Sequence, residues 1–152
     1  MTDNTRIDRD ANPVKKSDVL DIYTDGASRN NPGKGSGAFI FVLKDDIICS
    51  DAQYFGDITN NQAEYKALIM ALDRVIEFTR WHIRIHSDSE LLIKQMSGDW
   101  RVKEPMLKEL YREAGELEKG IQKIEYLHVP RSNRFIKIVD KMCNECLDKN
   151  LK

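Results

Sequence analysis

Four acidic side chains fall where elements of secondary structure begin, end or meet the core: Asp25, Glu64, Asp88 and Asp140. Asp25 follows an apolar, β-rich run and precedes Gly26, which permits close approach of a neighbour; an Asx-type turn would use the same pair. Glu64 lies in the first turn of a helix capped by Thr59, where an acid also complements the helix dipole. Asp88 sits in Ser87-Asp88-Ser89 after Ile83-Arg84-Ile85, where it could equally cap a helix. Asp140 falls mid-helix among Ile136, Val139, Cys143 and Leu147, at the border of the apolar face. Aspartate is a poor interior helix residue, and a charge near a core needs a partner, which a Lys or Arg of a neighbouring element could supply. If the four converge, they repel one another unless a cation sits between them. Oxygen donors without His or Cys favour Mg²⁺ or Mn²⁺ over zinc, and Mg²⁺ commonly binds through few carboxylates plus substrate phosphate oxygens. That points to phosphodiester chemistry.

Convergence depends on the elements. Residues 19–24 alternate as a strand, the stretch 30–37 (Asn-Asn-Pro-Gly-Lys-Gly-Ser-Gly) is turn chemistry, and residues 38–43 and 47–55 make two further strands. Strands this close in sequence must pair antiparallel. The period then changes: Ala63, Ala67, Met70, Ala71 and Val75 recur at helical spacing behind a Thr59/Gln62 capping box. Residues 81–86 form a fourth strand; Ser87 or Ser89 caps a helix that Gly98 ends; Pro105 opens another helix. Residues 124–129 form a fifth strand, and a last helix spans about 135–147. The order β-β-β-α-β-α-α-β-α predicts an α/β fold: a mixed five-stranded sheet, three antiparallel strands then βα units, with helices on both faces. Asp25 and Asp88 then end different strands, while Glu64 and Asp140 ride on helices packed against the sheet.

The bulk numbers fit one domain. The chain has 152 residues, 41% hydrophobic and 32% charged, with a net charge of −1, which excludes a wholly basic nucleic-acid binder but not a local basic stripe. No apolar run approaches the roughly 20 residues of a membrane span. Residues 1–17 are polar and of mixed charge; they read as a disordered tail rather than a secretory signal, leaving 18–152 as the domain. Cys49, Cys143 and Cys146 give no disulfide framework, so a cytoplasmic setting is expected. Cys143 and Cys146 share a helical face and are expected to be buried small apolar residues rather than zinc ligands. Core packing is likewise expected for Trp100, with a flat surface against a nucleic-acid strand as the alternative; His82 and His86 are expected to be simple strand positions, and His128, at a strand's end, to be structural. Gly33-x-Gly35-x-Gly37 is not a dinucleotide fingerprint, because a strand and not a helix follows it.

Tyr23-Thr24-Asp25-Gly26-Ala27-Ser28-Arg29-Asn30-Asn31-Pro32-Gly33 closely resembles the first motif of type 1 ribonuclease H. Thr59-Asn60-Asn61-Gln62-Ala63-Glu64 resembles the second, Ser87-Asp88-Ser89 with Leu91-Leu92 the third, and His128-Val129-Pro130-Arg131 leading to Asp140 the fourth. The fourth is longer than the family pattern: nine positions separate Arg131 from Asp140, and Val139 precedes the acid. The added residues fall at the start of the last helix, where they can move a loop without moving Asp140. The segment after the third motif is short and resembles the branch without a basic protrusion. Glu90 stands where members often carry Gln for contact with base edges.

The resemblance implies a ribonuclease H-like fold and a monomeric endonuclease that cuts the RNA strand of RNA/DNA hybrids. It implies two Mg²⁺ or Mn²⁺ ions about 4 Å apart at the scissile phosphate. Asp25 would bridge them, Glu64 and Asp88 would hold the leaving-group ion, and Asp140 the nucleophile ion, leaving 5′-phosphate and 3′-hydroxyl ends. Gly26, Ser28, Asn30, Asn31, Thr59, Asn60, Asn61 and Glu90 are the expected substrate contacts. Recognition of backbone and of the 2′-hydroxyl makes cutting largely sequence-independent. Two other readings stand beside it: a module that grips hybrids without cutting, and a structure-specific DNA nuclease on the same fold.

Overall fold

The structure, a computed structural model, describes residues 12–151. Its elements are β1 (Leu20–Ser28), β2 (Gly33–Leu43), β3 (Asp46–Ile58), α1 (Asn60–Val75), β4 (His82–Ser87), α2 (Glu90–Met96), α3 (Pro105–Glu118), β5 (Lys123–His128) and α4 (Arg134–Asn150). The order is the one expected, and the five strands form one sheet, β3-β2-β1-β4-β5. β1 pairs antiparallel with β2 and β2 with β3, whereas β1–β4 and β4–β5 are parallel.

The two-residue period of the strands sorts the core into two layers. Leu20, Ile22, Phe39, Phe41, Ile83 and Ile85 face Tyr65, Leu68 and Leu72 of α1, Leu92 of α2 and Leu107 of α3. Tyr23, Ile40 and Val42 point the other way and meet Phe135, Ile136, Val139 and Cys143 of α4. Among the described residues no helix is long and apolar enough to cross a membrane.

Three expectations need correction. The glycine-rich stretch is not all turn: the reversal is confined to residues 29–32, and β2 begins at Gly33. Its glycines serve close packing, since a Cβ on Gly35 would lie 2.3 Å from Ile58 Cγ2 and one on Gly37 2.8 Å from the Phe55 ring. Trp100 is not core; it is 45% exposed. It follows Gly98, whose φ of 84° turns the chain outward after α2. Cys143 is buried, but Cys146 is only half-buried, because the lower face of α4 opens onto a groove beside Gln53 and Tyr54. The expected tail lies outside the described residues as far as residue 11. From there Asn12 Nδ2 donates to Phe78 O at 3.0 Å, and Lys16 Nζ lies 4.4 Å from the Trp81 ring centroid.

Candidate active site

The pairing of β1 with β4 sets the first two acids. It runs in parallel from Leu20↔Ile83 to Tyr23↔His86, and the same register carried two residues further brings Asp25 level with Asp88. Asp25 does not end its strand, as its sequence neighbours suggested. It lies within β1, which continues to Ser28 on its pairing with β2 alone (Asp25↔Ala38). What ends beside it is β4, so the carboxylate opens at the carboxyl edge of the parallel strands, the usual site of ligand crevices in such sheets.

Glu64 arrives from α1. Thr59 Oγ1 accepts from Gln62 N at 3.2 Å and Gln62 Oε1 accepts from Thr59 N at 3.0 Å, the expected reciprocal cap. Gly26 lets this helix end touch the sheet: a Cβ there would stand 2.3 Å from the Ala63 carbonyl carbon and 2.4 Å from Glu64 N. Its N–H donates to Glu64 Oε1 at 3.0 Å.

Asp88 follows β4 and precedes α2, whose cap is Ser89, accepting from Leu92 N; Ser87 Oγ accepts instead from Ser89 N. One carboxylate oxygen from each of Asp25, Glu64 and Asp88 lies within 4.8 Å of the others. Asp140 is exposed on α4 and stands outside this triad, yet its charge still bears on Asp25 and raises the proton affinity of that carboxyl. Asn133 caps α4, accepting from Phe135 N and Ile136 N, so the residues of the longer motif lie at the cap and first turn of the helix.

The cluster is electrostatically loaded. Burial first, then the Asp88 and Asp140 carboxylates, push Asp25 up to about 8; the Gly26 N–H acts against this. Burial, then Asp25 and Asp88, raise Glu64 well above the usual carboxylate range. Arg131 Nε sits 3.6 Å from Asp88 Oδ2, but that guanidinium is 92% exposed and offsets little. His128 ends β5 with Nε2 3.2 Å from the Asp88 carbonyl oxygen.

Of the expected substrate contacts, those in the β1–β2 turn and at the start of α1 lie together, and several are committed to one another. Ser28 N donates to Asn60 Oδ1 at 2.8 Å, Asn60 N to Asn31 Oδ1 at 2.9 Å, and Ser28 Oγ to Ile58 O at 2.6 Å. Ser28, Asn31 and Asn60 thus knit the β1–β2 turn to the start of α1. Asn30 is exposed at the turn with φ 65°, and Asn61 is half-buried beside Asn60. Glu90 opens α2 and is exposed. Sequence reasoning missed Arg29 and Ser36, which bind α4 to the first two strands, and the carboxylate partners of His82 (Glu125) and His86 (Asp21). Ser36 offered a faint signal, a polar residue on the inward side of β2, hidden by the glycines around it.

Residues 23–146 match the family described as reverse transcriptase-like. A bifunctional protein of Mycobacterium tuberculosis is 36% identical over 84% of this chain, which spans only 35% of that protein's length. The crystal structure of ribonuclease H1 from the archaeon Halobacterium salinarum superimposes with a TM-score of 0.81 at 37% identity, covering 86% of this chain and 98% of that one. The LC11 ribonuclease H1, isolated from compost and crystallised with an RNA/DNA hybrid, gives 0.83 at 32% identity, covering 88% and 99%.

Proposed function

We infer that this chain, which belongs to the type 1 ribonuclease H family, hydrolyses the RNA strand of RNA/DNA hybrids, largely without regard to sequence, by a two-metal-ion mechanism that leaves 5′-phosphate and 3′-hydroxyl ends. One observation carries the reading: three carboxylates from β1, α1 and the β4–α2 junction lie within 4.8 Å of one another. Like charges so close, and largely withdrawn from water, raise the proton affinity of Asp25 and Glu64, so the cluster calls for positive charge.

The donor set fits Mg²⁺ or Mn²⁺: it is all oxygen, with no imidazole or thiolate among the triad. Asp25, Glu64 and Asp88 would hold the cations, with Asp140 contributing from beside Asp25. Divalent cations there supply the charge that lowers the pKa of an attacking water and stabilises the leaving 3′-oxygen. The chain's own part is rigid placement. The sheet register fixes Asp25 against Asp88, and the Gly26 N–H fixes one Glu64 oxygen. Asn30 and Asn61 would meet sugar and phosphate along the rim, where the 2′-hydroxyl distinguishes RNA. Such contacts carry no base code.

The test is cleavage of an end-labelled hybrid with Mg²⁺ or Mn²⁺. Short RNA products that vanish in chelator and with Asp25→Asn support the reading. Products that persist in either case, or equal cutting of duplex DNA, overturn it.

A further inference from the structure

We propose that Ser36, Cys143 and Arg29 are positioning residues that lock α4 onto β1 and so set Asp140 against Asp25; this rests on the function proposed above. Asp140 and Cys143 are three residues apart and share a face of α4. The fully buried Ser36 Oγ donates to the Cys143 carbonyl oxygen at 2.8 Å. The Cys143 thiol donates to the backbone carbonyl of Asp25 itself, with sulfur and oxygen 3.4 Å apart. One turn on, Arg29 Nη2 reaches Asp148 Oδ1 at 2.8 Å and Asn144 Oδ1 at 3.4 Å. All four contacts fall after Asp140 on the helix, between residues 143 and 148.

Before Asp140 the helix meets the sheet mainly through Phe135, Ile136 and Val139. Apolar packing is non-directional and tolerates small slides and rotations. Hydrogen bonds donated by a buried hydroxyl, a thiol and a guanidinium do not. The axial register of α4 is therefore fixed from downstream, and extra residues between Arg131 and Asp140 extend the helix at its free end without displacing the acid. The Cys143–Asp25 bond matters most, because it joins the helix of one acid to the strand of another.

Substitution of groups that orient metal ligands typically costs on the order of 10–100-fold in metal affinity. The experiment is calorimetric titration of the intact chain with Mn²⁺, for Cys143→Val and Cys143→Ser, each with and without Asp140→Asn, alongside Ser36→Ala. Valine fills the space without a donor; serine keeps one. The expected result is about tenfold weaker Mn²⁺ binding for Cys143→Val and Ser36→Ala, partial recovery with Cys143→Ser, and little further loss from Cys143→Val once Asp140 is Asn. Equal loss with and without Asp140, or no loss, overturns the positioning role even if melting temperatures fall. Should the wild type bind Mn²⁺ with this coupling yet leave hybrids uncut, the proposed reaction fails and the lock stands. Should it bind no Mn²⁺, both fail.

Discussion

Gly26 donates its N–H to Glu64 Oε1 at 3.0 Å, and its missing side chain is what brings the two into range. A methyl on Gly26 would overlap the Ala63 carbonyl carbon at 2.3 Å, and backbone at a helix start cannot swing aside as a side chain can. Gly26→Ala is expected to lower stability by about 1–3 kcal/mol through overpacking. It should reduce cleavage on the order of 100-fold, because a displacement near 1 Å at a reacting centre has that effect. Thermal melts and single-turnover cleavage check both. A variant that melts normally and cuts at the wild-type rate would show that the close approach is incidental.

The acid cluster makes stability depend on pH in an unusual direction. Asp25 titrates at about 8 in the folded chain, against ~3.9 in an unfolded one. Between those values the folded state binds the extra proton, so stability falls as pH rises through the window, and the raised Glu64 adds to the fall. In chelator the melting temperature is expected to drop from pH 5 to pH 9, with Asp25→Asn flattening the slope. Saturating Mg²⁺ should flatten it too, by supplying the positive charge that the proton otherwise provides. A pH-independent melting curve for the wild type in chelator would contradict the crowding of the carboxylates.

Element order and the two-layer core could be read from the chain because both rest on local periodicity: Leu20 and Ile22 against Tyr23 in β1, Ala63, Ala67 and Ala71 in α1. The convergence of Asp25, Glu64 and Asp88 followed from motif order once β4 was placed beside β1. What was illegible is non-local or ambiguous. Glycines 35 and 37 suit a reversal and a tightly packed strand equally, and only Ile58 and Phe55, about 20 residues away, decide. Arg29 finds its partner 119 residues on, across an interface no local pattern encodes. Trp100 was expected in the core with an exposed face as the alternative, and no neighbouring period decided between them; the structure exposes it.

Asn60 and Asn61 should separate architecture from contact. Asn60 joins Ser28 and Asn31 through its side chain and backbone. Asn60→Ala is expected to cost about 1 kcal/mol of stability, loosen the rim and raise KM for the hybrid. No hydrogen bond of the Asn61 side chain occurs among the described residues, so Asn61→Ala should leave the melting temperature unchanged and raise KM alone. The two variants, measured by melting and by steady-state cleavage, test this. Equal destabilisation, or an unaltered KM for Asn61→Ala, would remove Asn61 from the substrate rim.

Trp100 offers the last contrast. It lines an open cleft of about 630 Å³ between α2 and α3, with Leu91, Gln95, Arg101, Lys103 and Leu107. A buried tryptophan would cost ~3–5 kcal/mol on truncation; at 45% exposure, Trp100→Ala should cost about 1 kcal/mol or less. An aromatic face flanked by Arg101 and Lys103 has the composition of a nucleic-acid contact, and stacking there is worth ~1–3 kcal/mol. The variant is therefore expected to raise KM for the hybrid about tenfold with kcat little changed. Arg101→Gln and Lys103→Gln should weaken the salt dependence of binding, because each removes one phosphate charge contact. Binding titrations at two salt concentrations distinguish the cases. An unchanged KM with a large loss of stability would return Trp100 to a packing role, and an unchanged salt slope would take the basic pair out of the substrate path.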